Sequence, residues 1–181
     1  MLSGLLCLSY AARAADVPDV GSFLVATSKT PDSGFARTVI LLVHYDAQGV
    51  VGLIVNRPSK AKLPELMPKT KYPEQTIYAG GPVPFGVHTL IRARTKPDGA
   101  STVLEDVYFI SGQKEVERFQ DRAKAPVFRV YLGYAGWTGP QLENELKLGF
   151  WSVTQGESKY VFDDNPATLW QRIANRALAR R

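Results

Sequence analysis

Cysteine is almost absent: Cys7 is the only one in 181 residues, which excludes an intrachain disulfide and a cysteine-based zinc site. Histidine is nearly as scarce. His44 and His88 are the only imidazoles, and two isolated histidines do not outline a metal site, so no metal or other cofactor is expected. No Gly-x-Ser-x-Gly elbow occurs, and the usual serine-hydrolase nucleophile is therefore missing. Gly-x-x-x-x-Gly-Lys-Ser/Thr and a Gly-x-Gly-x-x-Gly after a strand are absent too, which leaves nucleotide binding through a known phosphate loop unsupported. No apolar run reaches the roughly 20 residues that a membrane-spanning helix needs.

What is present is an ordinary globular mixture, 45% hydrophobic and 22% charged, at a length that suits one well-buried domain. The formal charge of +5 is spread along the chain and argues solubility rather than a nucleic-acid site. Its densest cluster is Arg172, Arg176, Arg180 and Arg181, where cations in the last turns of a helix offset its negative end. No helix-turn-helix signature accompanies it, so direct nucleic-acid contact is not expected.

The first residues bear on location. Leu2 to Ala12 is a short, largely apolar run followed by Ala12-Arg13-Ala14 and then Asp16 and Pro18, which resembles the tail of a secretory signal peptide, although the basic segment that usually precedes one is missing. Residues 1–20 are accordingly read as a leader and residues 21–181 as a single domain. A cleaved leader implies a periplasmic or secreted protein, and an intact one a cytoplasmic protein.

From Gly21 onward the chain is strand-rich. Phe23 to Ala26, Thr38 to His44 and Val50 to Asn56 are runs of Val, Ile, Leu and Phe, with Tyr45 to Gly49 supplying a hairpin turn. Val39 to Val43 is continuously apolar, which predicts a central strand covered on both faces. Arg57 to Gln75 carries four prolines and reads as a loop with at most one helical turn. Strands resume at Thr76 to Ala79, Thr89 to Ala93, Thr102 to Ile110 and Val127 to Leu132, with a turn at Lys96-Pro97-Asp98-Gly99. Three helices are expected. Gln113 to Ala123 places Val116, Phe119 and Ala123 on one face; Thr138 with Gln141 fits a capping box, or Gly139 with Pro140 a simpler start; Asn165-Pro166 opens a helix with Leu169, Trp170, Ile173 and Ala177 buried. Strands and helices do not alternate regularly, so an α+β fold with a largely antiparallel, strongly curved sheet is favoured.

Candidate chemistry is thin. His44 and Asp46 share a strand face beside a turn, an arrangement that serves a structural pair as readily as a catalytic one. Glu143 and Glu145 point in different directions on their helix, whereas Gln141 and Glu145 share a face read as solvated or capping. Glycine-bounded corners remain. Gly80-Gly81-Pro82-Val83, Gly133-Tyr134-Ala135-Gly136-Trp137 and Asn56-Arg57-Pro58 each end a predicted strand, and loops held on a rigid scaffold often carry function.

These corners, in order with Gly21 to Ala26, Phe35-Ala36-Arg37-Thr38-Val39, Gly52 to Pro58, Gln141-Leu142-Glu143-x-Glu145-Leu146, Trp151 and Phe162-Asp163, resemble the YqgE/AlgH family over about Gly21 to Trp170. The resemblance implies a bifurcated, barrel-like sheet with packed helices and no established enzyme activity. It also implies a role in regulating alginate production and related traits in bacteria. An exported copy could not act directly on transcription. The expectation is a non-enzymatic binding or regulatory protein for a protein or small-molecule partner, with a surface of Asn56, Arg57, Gly80, Gly81, Tyr134, Gly136, Trp137, Gln141 and Glu145. Two alternatives stand beside it: a hydrolase using His44 or His88 with an activated water, and a DNA-associated transcriptional regulator.

Overall fold

All five residues from Val39 to Val43 are buried in the computed structural model, because the strand that carries them is covered on both faces, as its unbroken apolar run requires. The structure describes residues 17–31, 34–122 and 127–179, the last three as backbone. The leader up to residue 16, Ala123, Arg180 and Arg181 lie outside the described residues, as does the side chain of Ala177.

Strands β1 (Ser22–Ala26), β2 (Val39–Asp46) and β3 (Gly49–Ile54) form an antiparallel meander. β4 (Pro58–Lys62) leads through a single helical turn, α1 (Leu63–Leu66), to β5 (Thr76–Ala79), with which it pairs. β6 (Val83–Arg92), β7 (Ser101–Leu104) and β8 (Val107–Ser111) follow, then α2 (Gln113–Arg122) and the long β9 (Val127–Trp137). The chain ends in α3 (Gly139–Lys147), β10 (Trp151–Gln155), the one-turn α4 (Ser158–Val161) and α5 (Pro166–Ala179). Among the described residues ten strands form one sheet whose main path is β10-β1-β2-β3-β9-β6-β8-β7, with β5 and β4 branching from β9. Only β5 and β9 pair in parallel among the described residues. The fold is α+β with a curled, largely antiparallel sheet, curved enough for the backbone at Gly21 to approach the Val103 carbonyl.

β9 is where the sheet forks. Along one side, Val130 to Leu132 run parallel to Ile77 to Ala79 of β5, and then Ala135 to Trp137 pair antiparallel with β3. β6 accompanies β9 on its other side. The core follows this geometry in three clusters. Phe23, Leu41, Leu53, Leu90 and Tyr131 fill the concave side under Val161, Leu169 and Ile173. Leu63, Ile91, Val116 and Val130 pack on the convex side beneath α1 and α2. Leu24, Ile40, Trp137 and Trp151 pack on the opposite face of β1 to β3 with Leu142 of α3. Each fully buried Leu or Ile contributes about 1.5–3 kcal/mol, so both faces matter to stability.

Several segments differ from expectation. β9 does not stop at Leu132: Gly133, at a φ of +74°, lets the strand bend and continue through Trp137 instead of forming a corner. Thr102 to Ile110 is two strands rather than one, folded back at Glu105 and Asp106; this turn lacks the glycine that usually announces a hairpin. The proline-rich stretch contains β4 in addition to its helical turn, with Pro58 at the first position, where the missing amide costs least. β6 begins at Val83 rather than Thr89, with an irregular register between Val83 and Val87. β10 and α4 were not anticipated, since short mixed segments carry little periodicity. Among the described residues five helices stand where three were expected, two of them single turns. Of the predicted caps, Thr138 accepts from the Gln141 amide at 3.3 Å, but the Gln141 side chain turns to Glu145 rather than back to complete the box.

Candidate functional site

Gly80 and Gly81 lie at the fork. The Gly80 amide donates to Leu132 O and its carbonyl accepts from Ile54 N, both at 2.9 Å, so one residue ties β3, β5 and β9 together. A Cβ on Gly80 would overlap the Gly133 carbonyl, and one on Gly81 the Tyr134 carbonyl. These glycines are required by backbone approach rather than by a ligand.

Glu145, expected on a solvated face, is instead the hub of an aromatic cluster. One carboxylate oxygen accepts from the Trp137 indole at 2.9 Å and the Trp151 indole at 2.7 Å, while the other accepts from Gln141 Nε2 at 3.0 Å. Both indoles are nearly buried, and a buried indole N–H needs an acceptor. Helical spacing turns the Glu145 carboxylate toward the two indoles, while the side chain stays partly exposed. Phe35 lies 6.1 Å from the Trp137 ring and 5.5 Å from that of Trp151.

Asn56 and Arg57 hold the loop that carries Phe35. Asn56 Oδ1 accepts from Val39 N at 2.9 Å and its amide donates to Arg37 O at 3.0 Å, bracing Arg37 at a positive φ of 56°. Arg57 donates to the carbonyls of Gly34 and Ala36. Asn56→Ala is expected to lower unfolding free energy by about 1–2 kcal/mol in a urea titration, one net hydrogen bond plus an orphaned backbone group. A loss under 0.5 kcal/mol would mean that the loop holds its shape without the amide.

The remaining candidates do not join this cluster. Tyr134 packs on the concave side, opposite Trp137, and Gly136 is exposed beside Val51. The nine residues therefore do not line one pocket. His44 is half exposed and pairs with Asp46 at 2.9 Å. His88 is 6% exposed, with Nδ1 3.1 Å from Ser111 Oγ and Nε2 without a hydrogen-bond partner. Its ring packs 5.7 Å from both Phe109 and Tyr134. Burial holds the imidazole below its usual value of 6.5, opposed only in part by the Phe85 carbonyl. A lowered folded pKa means that stability is present above about pH 6.5 and is lost as acid protonates the unfolded chain first. His88→Gln should flatten the decline in unfolding free energy measured below pH 6.5; an unchanged slope would assign that decline to other groups.

A groove that the sequence reading missed lies at the start of β9. It measures about 500 Å³ and is walled by Tyr72, Tyr78, Phe128 and Phe162, with Glu74 and Asp164 also on its lining. Arg129 lines it too, only 8% exposed. Its guanidinium donates to Val161 O at 2.7 Å and to Asp163 O and stacks 4.7 Å from the Tyr78 ring centre. Among the described residues no carboxylate pairs with it. The Asp163 carboxylate instead takes two bonds from Arg172, at 2.9 and 2.7 Å, and this pairing holds its carboxyl below the usual range. The available signal was an arginine inside the apolar run Val127 to Leu132. Among the described residues no group of three His, Cys, Asp or Glu could hold a metal ion, and no helix is long and apolar enough to cross a membrane.

A family described as AlgH-like matches residues 23–179. A UPF0301 protein of Chlorobaculum tepidum is 31% identical over 155 residues, 84% of this chain and 83% of that relative. Another UPF0301 protein, from Methylococcus capsulatus, is 31% identical over 164 residues, 87% and 90% of the two chains. The solution structure of the AlgH protein from Pseudomonas aeruginosa is similar at a TM-score of 0.68 and 29% identity, over 87% of this chain and 86% of that one. A crystal structure of a Corynebacterium diphtheriae protein shares the fold at a TM-score of 0.75 and 22% identity, covering 91% and 90%.

Proposed function

This chain belongs to the AlgH-like family, and from that premise we propose that it is a non-enzymatic binding or regulatory protein whose ligand site is the groove over Arg129. The observation that carries this reading is a nearly buried guanidinium, held by backbone carbonyls rather than by a salt bridge, on the lining of an open groove that aromatic side chains border. A buried cation is costly unless it is compensated; here two backbone carbonyls accept from it and the Asp163 carboxylate attracts it through space. The residues first expected to form a partner surface are engaged in internal bonds: Glu145 with two indoles, Asn56 and Arg57 with the loop before β2. Their work is to keep the scaffold rigid, which lowers the entropy lost when a ligand docks elsewhere.

Ligand-detected NMR against a mixture of neutral, cationic and anionic fragments, followed by amide shift mapping, tests the reading. Shifts gathered in residues 72–78, 127–131 and 161–164 support it. Binders that shift only other regions, or no binders at all, count against it.

A second reading, a hydrolase centred on His88, rests on the His88 to Ser111 contact and on an imidazole that burial keeps neutral, as a general base must be. A screen of esters and phosphoesters with His88→Gln and Ser111→Ala decides it. Turnover abolished in both variants would replace the binding reading. The leader extends the proposal to an exported protein; a mature chain beginning near Ala15 in a periplasmic or secreted fraction is the expected result, and intact Met1 in the cytosol the opposing one.

A further inference from the structure

We infer that residues 84–86 form a lid latched by the neutral ring of His88, and that the lid lifts when the imidazole takes up a proton; the inference stands apart from the groove over Arg129. Pro84, Phe85 and Gly86 are all exposed, Phe85 at 73%, whereas His88 is buried against them. The neighbouring strands do not hold these three residues. β8 pairs no further than Ser111 with His88, the Gly112 amide adding one bond to Val87 O, and β9 pairs with Val83 and Val87 but with nothing between. The ring holds them instead. Gly86 packs so closely that an added Cβ would stand 2.8 Å from Nε2, and its φ of +87°, open to glycine without strain, turns the chain over the imidazole. The Phe85 carbonyl also approaches the ring, without giving Nε2 a bond of full hydrogen-bond geometry.

The closed site suits an uncharged ring. Phe109 stacks on His88 and Tyr134 meets it edge to face, both at 5.7 Å, and Nδ1 lies 3.1 Å from Ser111 Oγ. No charged side chain is placed to compensate a proton. β8 presents Phe109 and Ser111, and β9 presents Tyr134 and, opposite His88 in register, Tyr131. At the start of α2 the Glu115 carboxylate lies against Gly112, and burial and the Phe85 carbonyl are the only influences on the titration of the imidazole. The Phe109 face attracts a cation, yet bulk water solvates one better than a single ring and a single carbonyl do. Lifting the lid returns His88 to water, where an imidazole takes a proton near pH 6.5. The open form thus binds the proton more tightly than the closed one, and acid shifts the population toward it. The rings of Phe109 and Tyr134 are then bared.

An NMR titration of the full chain from about pH 8 to about pH 4.5, the range over which an imidazole changes charge, tests the latch. The His88 ring signals, the amides of Phe85 and Gly86 and the nuclear Overhauser contact between Gly86 and the His88 ring should change together, with one midpoint below 6.5, while far-UV dichroism stays constant. His88→Phe keeps a ring between Phe109 and Tyr134 but cannot take a proton, and its lid amides should stay flat across the range. His44→Gln is the control, since His44 lies on β2 beside Asp46; it should leave the response of the lid intact. Gly86→Ala strains the closed turn and crowds Nε2, so closure should weaken about tenfold and the midpoint rise by about one pH unit. If His88 takes up its proton with the Gly86 contact intact, Ser111 and the Phe85 carbonyl suffice for the cation and there is no lid. The inference also falls if the lid amides move only as dichroism is lost, if His88 stays neutral until then, if His88→Phe opens like the wild type, if His44→Gln abolishes the response, or if Gly86→Ala leaves the midpoint where it was.

Discussion

Gly133→Ala is expected to destabilise the protein by about 4 kcal/mol, a large share of the roughly 5–15 kcal/mol that holds a domain folded. Two costs add. A φ of +74° places an L-residue in the left-handed region, at about 1–2 kcal/mol. The new Cβ also runs into the Val83 carbonyl, with the Gly81 carbonyl 3.2 Å away, and backbone cannot swing aside as a side chain can, which adds about 1–3 kcal/mol. The strain falls where β9 passes from β5 to β3, so relief in one direction opens a pairing in the other. Urea unfolding followed by far-UV dichroism measures the loss. Gly139→Ala is the control: nothing lies within 4 Å of its Cβ position, and it should change stability by less than about 0.5 kcal/mol. If Gly133→Ala matched that control, the fork would tolerate far more movement than its packing suggests.

Glu145→Ala should cost about 3 kcal/mol. It orphans two nearly buried indole N–H groups at once, each worth roughly 1–3 kcal/mol when left without an acceptor, and the loss is less than additive because the cluster relaxes as a unit. Glu145→Gln keeps one oxygen and should recover part of the stability. Tryptophan emission offers a second readout, since Trp137 and Trp151 should shift to the red as water reaches them. A full loss in the Gln variant would point to charge rather than hydrogen bonding as the essential property. Full stability in the Ala variant would show that the indoles find other acceptors.

Long apolar runs were the legible part of the fold. Val39 to Val43, the helix from Gln113 and the cap at Thr138 follow from local pattern and turn chemistry, and each stands where expected. The motif order also pointed to the family. Gly133 was legible as a special residue but not in its role, because a positive φ serves a turn or a bulge equally well and only the neighbours β3 and β5 decide between them. Glu145 shows a similar limit. Its helical face can be read from spacing, but the two tryptophans it meets come from β9 and from β10, a strand too short and mixed to announce itself. The Arg129 groove depends on three segments far apart in the chain, and no local pattern joins them.

The fork at β9 also dictates an order of assembly. β3, β5 and β6 all wait for this one strand, yet Val127 to Trp137 leaves the ribosome after all three, which end at Ile54, Ala79 and Arg92, so each pairing closes a long loop. Until it arrives, their edges are unpaired and open to association with other chains. The sheet therefore closes late, through contacts distant in sequence, and slow folding is the natural outcome. A nascent chain halted before Val127 should be held by chaperones or lost to aggregation, and release of β9 should be the step that commits it to the native state.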